Sequence, residues 1–428
     1  MSLSALTDLV ACIQATEASQ AELKSLLKNL QTHEEVLIQH MPQLDEAAQV
    51  LTPHLHTLGL VFILNVKGSA VPLSNVAAVQ IFIAQCRRLL LGCDPVQVQM
   101  VPSQFVAVCT KFSAACLTAR APLSAVRPLH AAALALQPTT SHFTPLHAEC
   151  LKVCLLAKTY SAALPLLAQE LLQVDRDATL VTPRDLLLFH YYAGMIYTGL
   201  KRYKAAVESF ALCVSAPTHV LNAIMLEAYK KCLLCSLIET GELPRLPKYL
   251  SPAIARPIKN LAAYSEFADA FATGDGAKLR ESLQKHTAAF EADRNLGLAR
   301  QCMPARMRRS IKQLTETYLT LSLAQIASIA GLESEAAAAR QIREMILADE
   351  IHASIDEAKG MVHFLERPER YVSHASAVLM ESALQGAIRL AGKLTELHAS
   401  LASDHLYLAR VTNQERAPML DDEGLLSK

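Results

Sequence analysis

Apolar residues recur at helical spacing from the first turns of the chain. Leu6, Leu9, Val10 and Ile13 form one set, and Leu23, Leu26, Leu27 and Leu30 another. The first proline is Pro42 and the first glycine Gly59, so little interrupts these helices. Short antiparallel helices are predicted for residues 1–120. The strongly apolar run Leu58 to Val66 is less than half of the roughly 20 residues a membrane span needs, and it reads as a buried helix.

Past residue 120 the pattern repeats. Pro122-x-x-Ala125-Val126 is echoed by Tyr160-x-x-Ala163-Leu164 and again by Tyr203-x-x-Ala206-Val207. The third copy is the fullest: Tyr191-x-x-Gly194-x-x-Tyr197, then Tyr203-x-x-Ala206-x-x-x-Phe210, then Pro217. This is the pattern of a tetratricopeptide-like helical hairpin. Gly194 and Ala206 let two helices approach, the aromatics fill the groove, and the proline ends the second helix. Weaker copies span Tyr229 to Tyr249 and Tyr264 to Phe290. Such hairpins stack into a solenoid, here over residues 121–295, with a concave surface. Their irregular spacing leaves a helical bundle without true repeats as the alternative.

The period changes between residues 296 and 366. Ile311, Leu314 and Tyr318 mark one face of a first helix. Ser322-x-x-Gln325 is a capping box that opens a second, with Leu323, Ile326, Ala327 and Ala330 inward and Gly331 closing it. Ser334 caps a third, from about Glu335 to Asp349, with Ala338, Ile342, Met345 and Ile346 inward. Then Ile351, Ala353 and Ile355 alternate with His352, Ser354 and Asp356. Asp356 to Gly360 makes a turn, Val362 and Phe364 return, and Pro368 marks the exit. Three helices and a two-stranded hairpin outline a winged helix. A final helix over 375–412 keeps Met380, Ala383, Ala387, Leu390, Leu394, Leu397, Leu401, Asp404, Leu408 and Val411 in heptad register. That stripe predicts packing along a partner helix ahead of docking on the chain's own body. Residues 413–428 read as a frayed polar tail. The expected fold is mainly α: a helical-repeat solenoid, a winged helix and a C-terminal helix.

Composition narrows the function. The chain has 428 residues, 52% apolar and 19% charged, which is a folded globular balance. Net charge is zero, which argues against a generally basic nucleic-acid binder. Eleven cysteines fall on helical apolar faces, and Met1-Ser2-Leu3-Ser4-Ala5 carries no basic n-region. A reducing intracellular compartment is expected, and no membrane contact.

The search for chemistry is negative. Gly274-Asp275-Gly276 is a turn between helices, not a phosphate loop, and no Gly-x-Ser-x-Gly elbow occurs. His54-Leu55-His56 is the only His-x-His. A metalloprotease of the kind that removes ubiquitin-like proteins needs Ser and Asp where this chain has Leu64 and Lys67. Those histidines read as loop or helix-end residues. Cys232 and Cys235 have no second ligand pair, so they and Cys150 and Cys154 read as buried thiols. No catalytic residue, cofactor or metal is expected.

A DNA-reading winged helix presents a basic third helix. Here Glu335, Glu344, Asp349 and Glu350 outweigh Arg340 and Arg343, and Asp356 and Glu357 outweigh Lys359 on the wing. The run Arg306, Arg308, Arg309 and Lys312 reads as a solvated face; a nucleic-acid adaptor built on it is the alternative from another class. Protein binding is the better reading. Its expected surfaces are the wing edge (His352, Ser354, Asp356, Lys359, Met361 and His363) and the heptad (Leu390, Leu394, Leu397, Leu401, Leu408 and Val411).

Helical repeats joined to a winged helix resemble the PCI domain family, shared by the proteasome lid, the COP9 signalosome and a translation initiation factor. Within it, the signalosome branch is resembled by Gly194-Met195-Ile196-Tyr197-Thr198-Gly199-Leu200, Leu226-Glu227-Ala228-Tyr229-Lys230-Lys231 and Leu246-Pro247-Lys248-Tyr249. Leu314-Thr315-x-Thr317-Tyr318-Leu319-Thr320-Leu321-Ser322-Leu323, Ile351-His352-Ala353-Ser354-Ile355-Asp356 and Gly360-Met361-Val362 add to it. The likeness is specific over about 145–372 and vaguer in the first 140 residues and the tail. It implies a non-catalytic PCI scaffold of the cytoplasm and nucleus. Its partners are other signalosome subunits, met through winged helices and a C-terminal bundle. Neddylated cullin–RING ligases are served indirectly, since the complex removes NEDD8 from cullins. A proteasome-lid scaffold shares this architecture and is the runner-up.

Overall fold

A computed structural model describes residues 4–15, 19–40, 43–70, 75–216, 222–247, 250, 252–366 and 373–416. Pro217, Tyr249, Pro368 and everything beyond Arg416 lie outside the described residues. Two compact units make up the chain: 1–316 with 324–341, and 317–323 with 342–428.

Helix Thr57–Ala70 sits at the heart of the first unit. Its residues from Thr57 to Leu64, with Val66 and Lys67, are all buried. The sequence offers no polar stripe, so no face can turn to water. Helices Val76–Gly92 and Pro102–Thr118 pack on it, burying Phe82, Phe105 and Phe112. Lys67, the one cation on this helix, is paired with Asp45 and donates to Gln85 Oε1 at 2.7 Å. Burial pushes the Asp45 carboxyl up, but the bonds from Lys67 and Gln85 win and hold it below its usual value. His54 and His56 lie in the turn before this helix, where His56 Nδ1 accepts from the Thr52 N–H at 3.1 Å.

The repeats are real, and their turns show it. Four helices, Pro102–Thr118, Pro145–Leu156, Pro183–Gly199 and Ala223–Glu239, lie side by side in succession. Each ends in a left-handed residue: Arg120 (φ 52°), Lys158 (56°), Lys201 (57°) and Gly241 (70°). In the first three, the next N–H returns to the helix: Ala121 to Cys116 O at 2.9 Å, Thr159 to Cys154 O at 3.0 Å, and Arg202 to Tyr197 O at 2.9 Å. This closure satisfies carbonyls that a helix end leaves bare.

The third hairpin, Pro183–Gly199 with Tyr203–Ser215, packs as its sequence demands. A Cβ on Gly194 would stand 2.5 Å from Phe210 Cε1. Only glycine admits this approach. Ala206 and Phe210 are fully buried, and the Tyr191 and Phe210 rings lie 6.3 Å apart. The second copy departs from the pattern. Tyr160 opens only a 3-10 turn, Tyr160–Ala163, and a short helix, Leu164–Leu167, which Pro165 starts afresh because it cannot donate into a continuing turn. Tyr160 still docks on Gly199, where a Cβ would come within 2.8 Å of its Cε2.

Further along, Lys230 donates to Glu227 Oε1 and Asp293 Oδ1, each at 2.7 Å. Asp293 Oδ2 accepts from the Tyr264 hydroxyl at 2.8 Å, and that hydroxyl accepts from Asn295 Nδ2 at 2.8 Å. A buried cation is tolerable only when satisfied in this way. Helices Ala262–Ala272 and Gly276–Lys285 flank the expected turn at Gly274. Helix Leu296–Thr317 then carries the basic run. That run is not simply a solvated face. Arg306 lies 5.8 Å over the Phe271 ring and donates to Phe271 O at 3.2 Å and to Gly274 O, and Arg309 packs against Gly241.

Helix Leu323–Ala330 begins directly after Ser322, and Gly331 (φ 69°) ends it, with the Leu332 N–H returning to Ala327 O at 2.8 Å. Helix Glu335–Leu347 is capped by Ser334 Oγ, which accepts from the Ala337 N–H at 3.2 Å. Tyr318 corrects the sequence reading: it lies past the first helix and is exposed, because the chain turns extended there. Residues Thr320–Ser322 form an unforeseen strand, β1, so the sheet has three strands. Strands β2 (Ala353–Asp356) and β3 (Met361–Phe364) are the expected hairpin, and the order is β1-β3-β2, antiparallel throughout.

The final helix also differs from expectation. It runs His374–Ser403, stops at Asp404 in extended conformation (φ −72°, ψ 114°), and resumes as His405–Arg416. By sequence Asp404 falls at a polar heptad position. It instead heads the second helix, with Oδ1 accepting from the Tyr407 N–H at 3.4 Å, as a favoured N-cap residue does. Residues 413–416 are therefore helical rather than tail.

Candidate functional site: a sheet edge and an uncovered helix

The sheet register decides which wing residues act together. Thr320, His363 and Ser354 lie in one row, and Ser322, Met361 and Asp356 in the next. Cross-strand partners share a face. Of the six expected edge residues, Ser354, Asp356, Met361 and His363 are thus gathered on a single face, joined by Thr320 and Ser322, which the sequence reading missed. Leu321, Val362 and Phe364 on the opposite face are buried. The missed signal was short: Leu319 and Leu321 flanking Thr320 at period two, too brief to stand out beside helices on both sides.

Met361 and His363 belong to the central strand, and their backbone groups face β2 rather than an open edge. The outer strands are β1 and β2. The Leu365 N–H donates to His352 O at 2.8 Å, which sets the alternation along β2. His352, Ser354 and Asp356 turn their backbone groups to β3, and Ala353 and Ile355 turn theirs outward. No strand lies beside them among the described residues.

The wing turn is held locally. Asp356 Oδ1 accepts from the Ala358 and Lys359 N–H groups at 3.1 and 3.2 Å, and Lys359 Nζ lies 3.5 Å from Asp356 Oδ2. Arg343 pairs with Glu357, tying the third helix to the wing. His352 Nε2 lies 3.5 Å from Asp349 Oδ1. These charges neutralise one another and leave an acidic excess, which does not suit phosphate.

The C-terminal helix is the other half of the site. None of the described residues of His374–Ser403 is buried. Leu390, Leu394, Leu397 and Leu401 are each at least half exposed, and so are Leu384 and Ile388. Leu408 is exposed and Val411 half-buried on the shorter helix that follows. Among the described residues, Leu390, Leu394, Leu397, Leu401 and Leu408 are therefore left without cover.

The thiols behave as core. Cys232 and Cys235 are fully buried, and burial pushes them up to about 12 and about 11. Cys232 Sγ faces Val207 O at 3.8 Å and Cys235 Sγ faces Thr198 Oγ1 at 3.4 Å, so the two do not converge on one point. Cys150 and Cys154 are likewise buried. No cluster suited to a metal occurs among the described residues, and no described helix is long and apolar enough to cross a membrane.

Residues 20–254 match the family model described as COP9 signalosome complex subunit 3, N-terminal helical repeats, and residues 283–366 match the PCI domain. The chain is similar to COP9 signalosome complex subunit 3 of Arabidopsis thaliana, 36% identical over 363 residues, covering 84% of this chain and 83% of the relative. Its likeness to the protein of the same description in Dictyostelium discoideum is 31% over 398 residues, covering 92% and 94%.

Proposed function

This chain belongs to the COP9 signalosome subunit 3 family, and from that premise we propose that it is a non-catalytic scaffold of a signalosome. It serves the removal of NEDD8 from cullins, and so the regulation of cullin–RING ligases, while another subunit does the cutting. Its partners are the other subunits. The wing edge takes a neighbouring strand, and the C-terminal helix enters a bundle. The runner-up, a proteasome-lid scaffold, is set aside because both relatives carry the signalosome description.

One observation carries the reading. A thirty-residue helix with a leucine stripe buries none of its described residues. An apolar face of that length left in water is a binding surface in search of cover. The test is the double variant Leu394→Asp, Leu397→Asp in a tagged chain expressed in cells. Two carboxylates in a bundle seam cost several kcal/mol, on the order of 2–7 for each buried unpaired polar group. The variant should lose its partner subunits in a pull-down while the lone chain keeps its helical circular dichroism. Recovery of the full set of partners by the variant would sink the proposal.

A further inference from the structure

The left-handed turns of the first unit carry a chemistry that the scaffold role does not use. Arg120, Lys158 and Lys201 occupy the position that favours glycine, and the fourth turn does use glycine, Gly241. Three successive hairpins thus hold a long cation in a strained backbone conformation. All three side chains are exposed, and Arg202 and Lys204 stand exposed beside the third.

These turns line one edge. The four helices that end in them lie side by side, and each is followed by a reversal, so they run parallel and finish together. The close seat of Tyr160 on Gly199 brings the second turn directly beside the third.

Several other cations of the same unit are engaged. Lys67 meets Asp45, Lys152 meets Glu149, and Lys230 and Lys231 meet Glu227. By contrast Arg120, Lys158, Lys201, Arg202 and Lys204 have no ion pair among the described residues. Leucines sit between the charges: Leu123 is 64% exposed just after the first turn, and Leu156 is 51% exposed just before the second.

We propose that this turn edge is a docking surface for an acidic protein segment that carries apolar side chains between its carboxylates. Neighbouring helices stand about 10 Å apart. An extended peptide advances roughly 3.3 Å per residue, so every third side chain can meet the next cation. The exposed leucines take the apolar side chains in between. A nucleic acid fits less well. Its uniform phosphates have no use for the leucines. Glu208 and Glu239, which line the same open groove as Lys201, Arg202 and Lys204, oppose phosphate and carboxylate alike and do not separate the two ligands.

The plain alternative is that each cation only complements the carbonyl end of its helix. Substitution by glycine separates the two roles, since it removes the charge and relieves the backbone. The experiment uses the full chain and a fluorescent peptide of repeated Glu-Leu-Glu units, read by anisotropy at 50 and 200 mM salt. Arg120→Gly, Lys158→Gly and Lys201→Gly combined should weaken binding at least about tenfold, from three surface pairs of up to roughly 1 kcal/mol each. The melting temperature should hold or rise. Wild-type binding should weaken at the higher salt, as screening requires. A control with Lys24→Gln, Lys28→Gln and Lys278→Gln, exposed cations away from these turns, should bind as the wild type does. Three results overturn the proposal: no peptide binding by the wild type, equal loss in the control, or tighter binding of a single-stranded oligonucleotide of the same charge.

Discussion

Helix Thr57–Ala70 and helix His374–Ser403 are both rich in leucine, isoleucine and valine, yet they end in opposite environments. Most of the first is buried, and none of the described residues of the second is. The difference lies in the pattern as well as in the content. The first is apolar on every face and must be surrounded, so the chain wraps its own helices around it. The second is apolar along one stripe and polar elsewhere, which a single chain can leave in water until another helix arrives. Hydrophobicity that closes in on itself makes a core, and hydrophobicity confined to a stripe makes an interface.

The comparison breaks most readily at the core. Phe62→Ala, at a site only 1% exposed, should cost about 3–5 kcal/mol and give a large fall in the denaturation midpoint of the isolated chain. A loss below 1 kcal/mol would mean that the helix is less enclosed than it stands here. Next in size is Gly194→Val, which drives a side chain into Phe210 and should cost about 1–3 kcal/mol by overpacking.

A pH effect sharpens the same contrast. His147 and His190 are held down to about 4 by burial, against an ordinary 6.5. Between those values the unfolded chain takes up protons that the folded chain refuses. Stability of the repeat body should therefore fall as pH drops from 6.5 toward 4, as read from urea midpoints. His147→Gln, which keeps a side-chain acceptor for the Thr144 N–H, should flatten part of that slope. The smallest effect belongs to the stripe. Leu384→Gln should move the melting temperature of the lone chain hardly at all, by a ΔΔG within about 0.5 kcal/mol. A marked drop would show that the helix has cover in the isolated chain after all.

Much of the fold was legible because local rules and packing agree. Ser334, Gly331 and the Tyr203–Ala206–Phe210 spacing each do locally what the structure shows them doing. Three features escaped because local chemistry had two valid readings. Tyr318 to Ser322 continues a helical spacing as readily as it starts a strand. Asp404 suits a heptad interruption and an N-cap equally. Arg306 and Arg309 look like solvated charge until the carbonyls of a distant turn and the bare backbone at Gly241 come to meet them. The proposed interface residues were legible as a pattern on one face and one stripe.

The halt at Asp404 has a consequence in length. At 1.5 Å per residue a thirty-residue helix is a straight rod of about 45 Å. A companion helix laid along its leucines can follow for that distance and no further, because beyond it Leu408 and Val411 sit on a segment that sets its own direction. The aspartate acts as the end stop of a ruler, cutting any straight bundle built on this chain to a fixed measure.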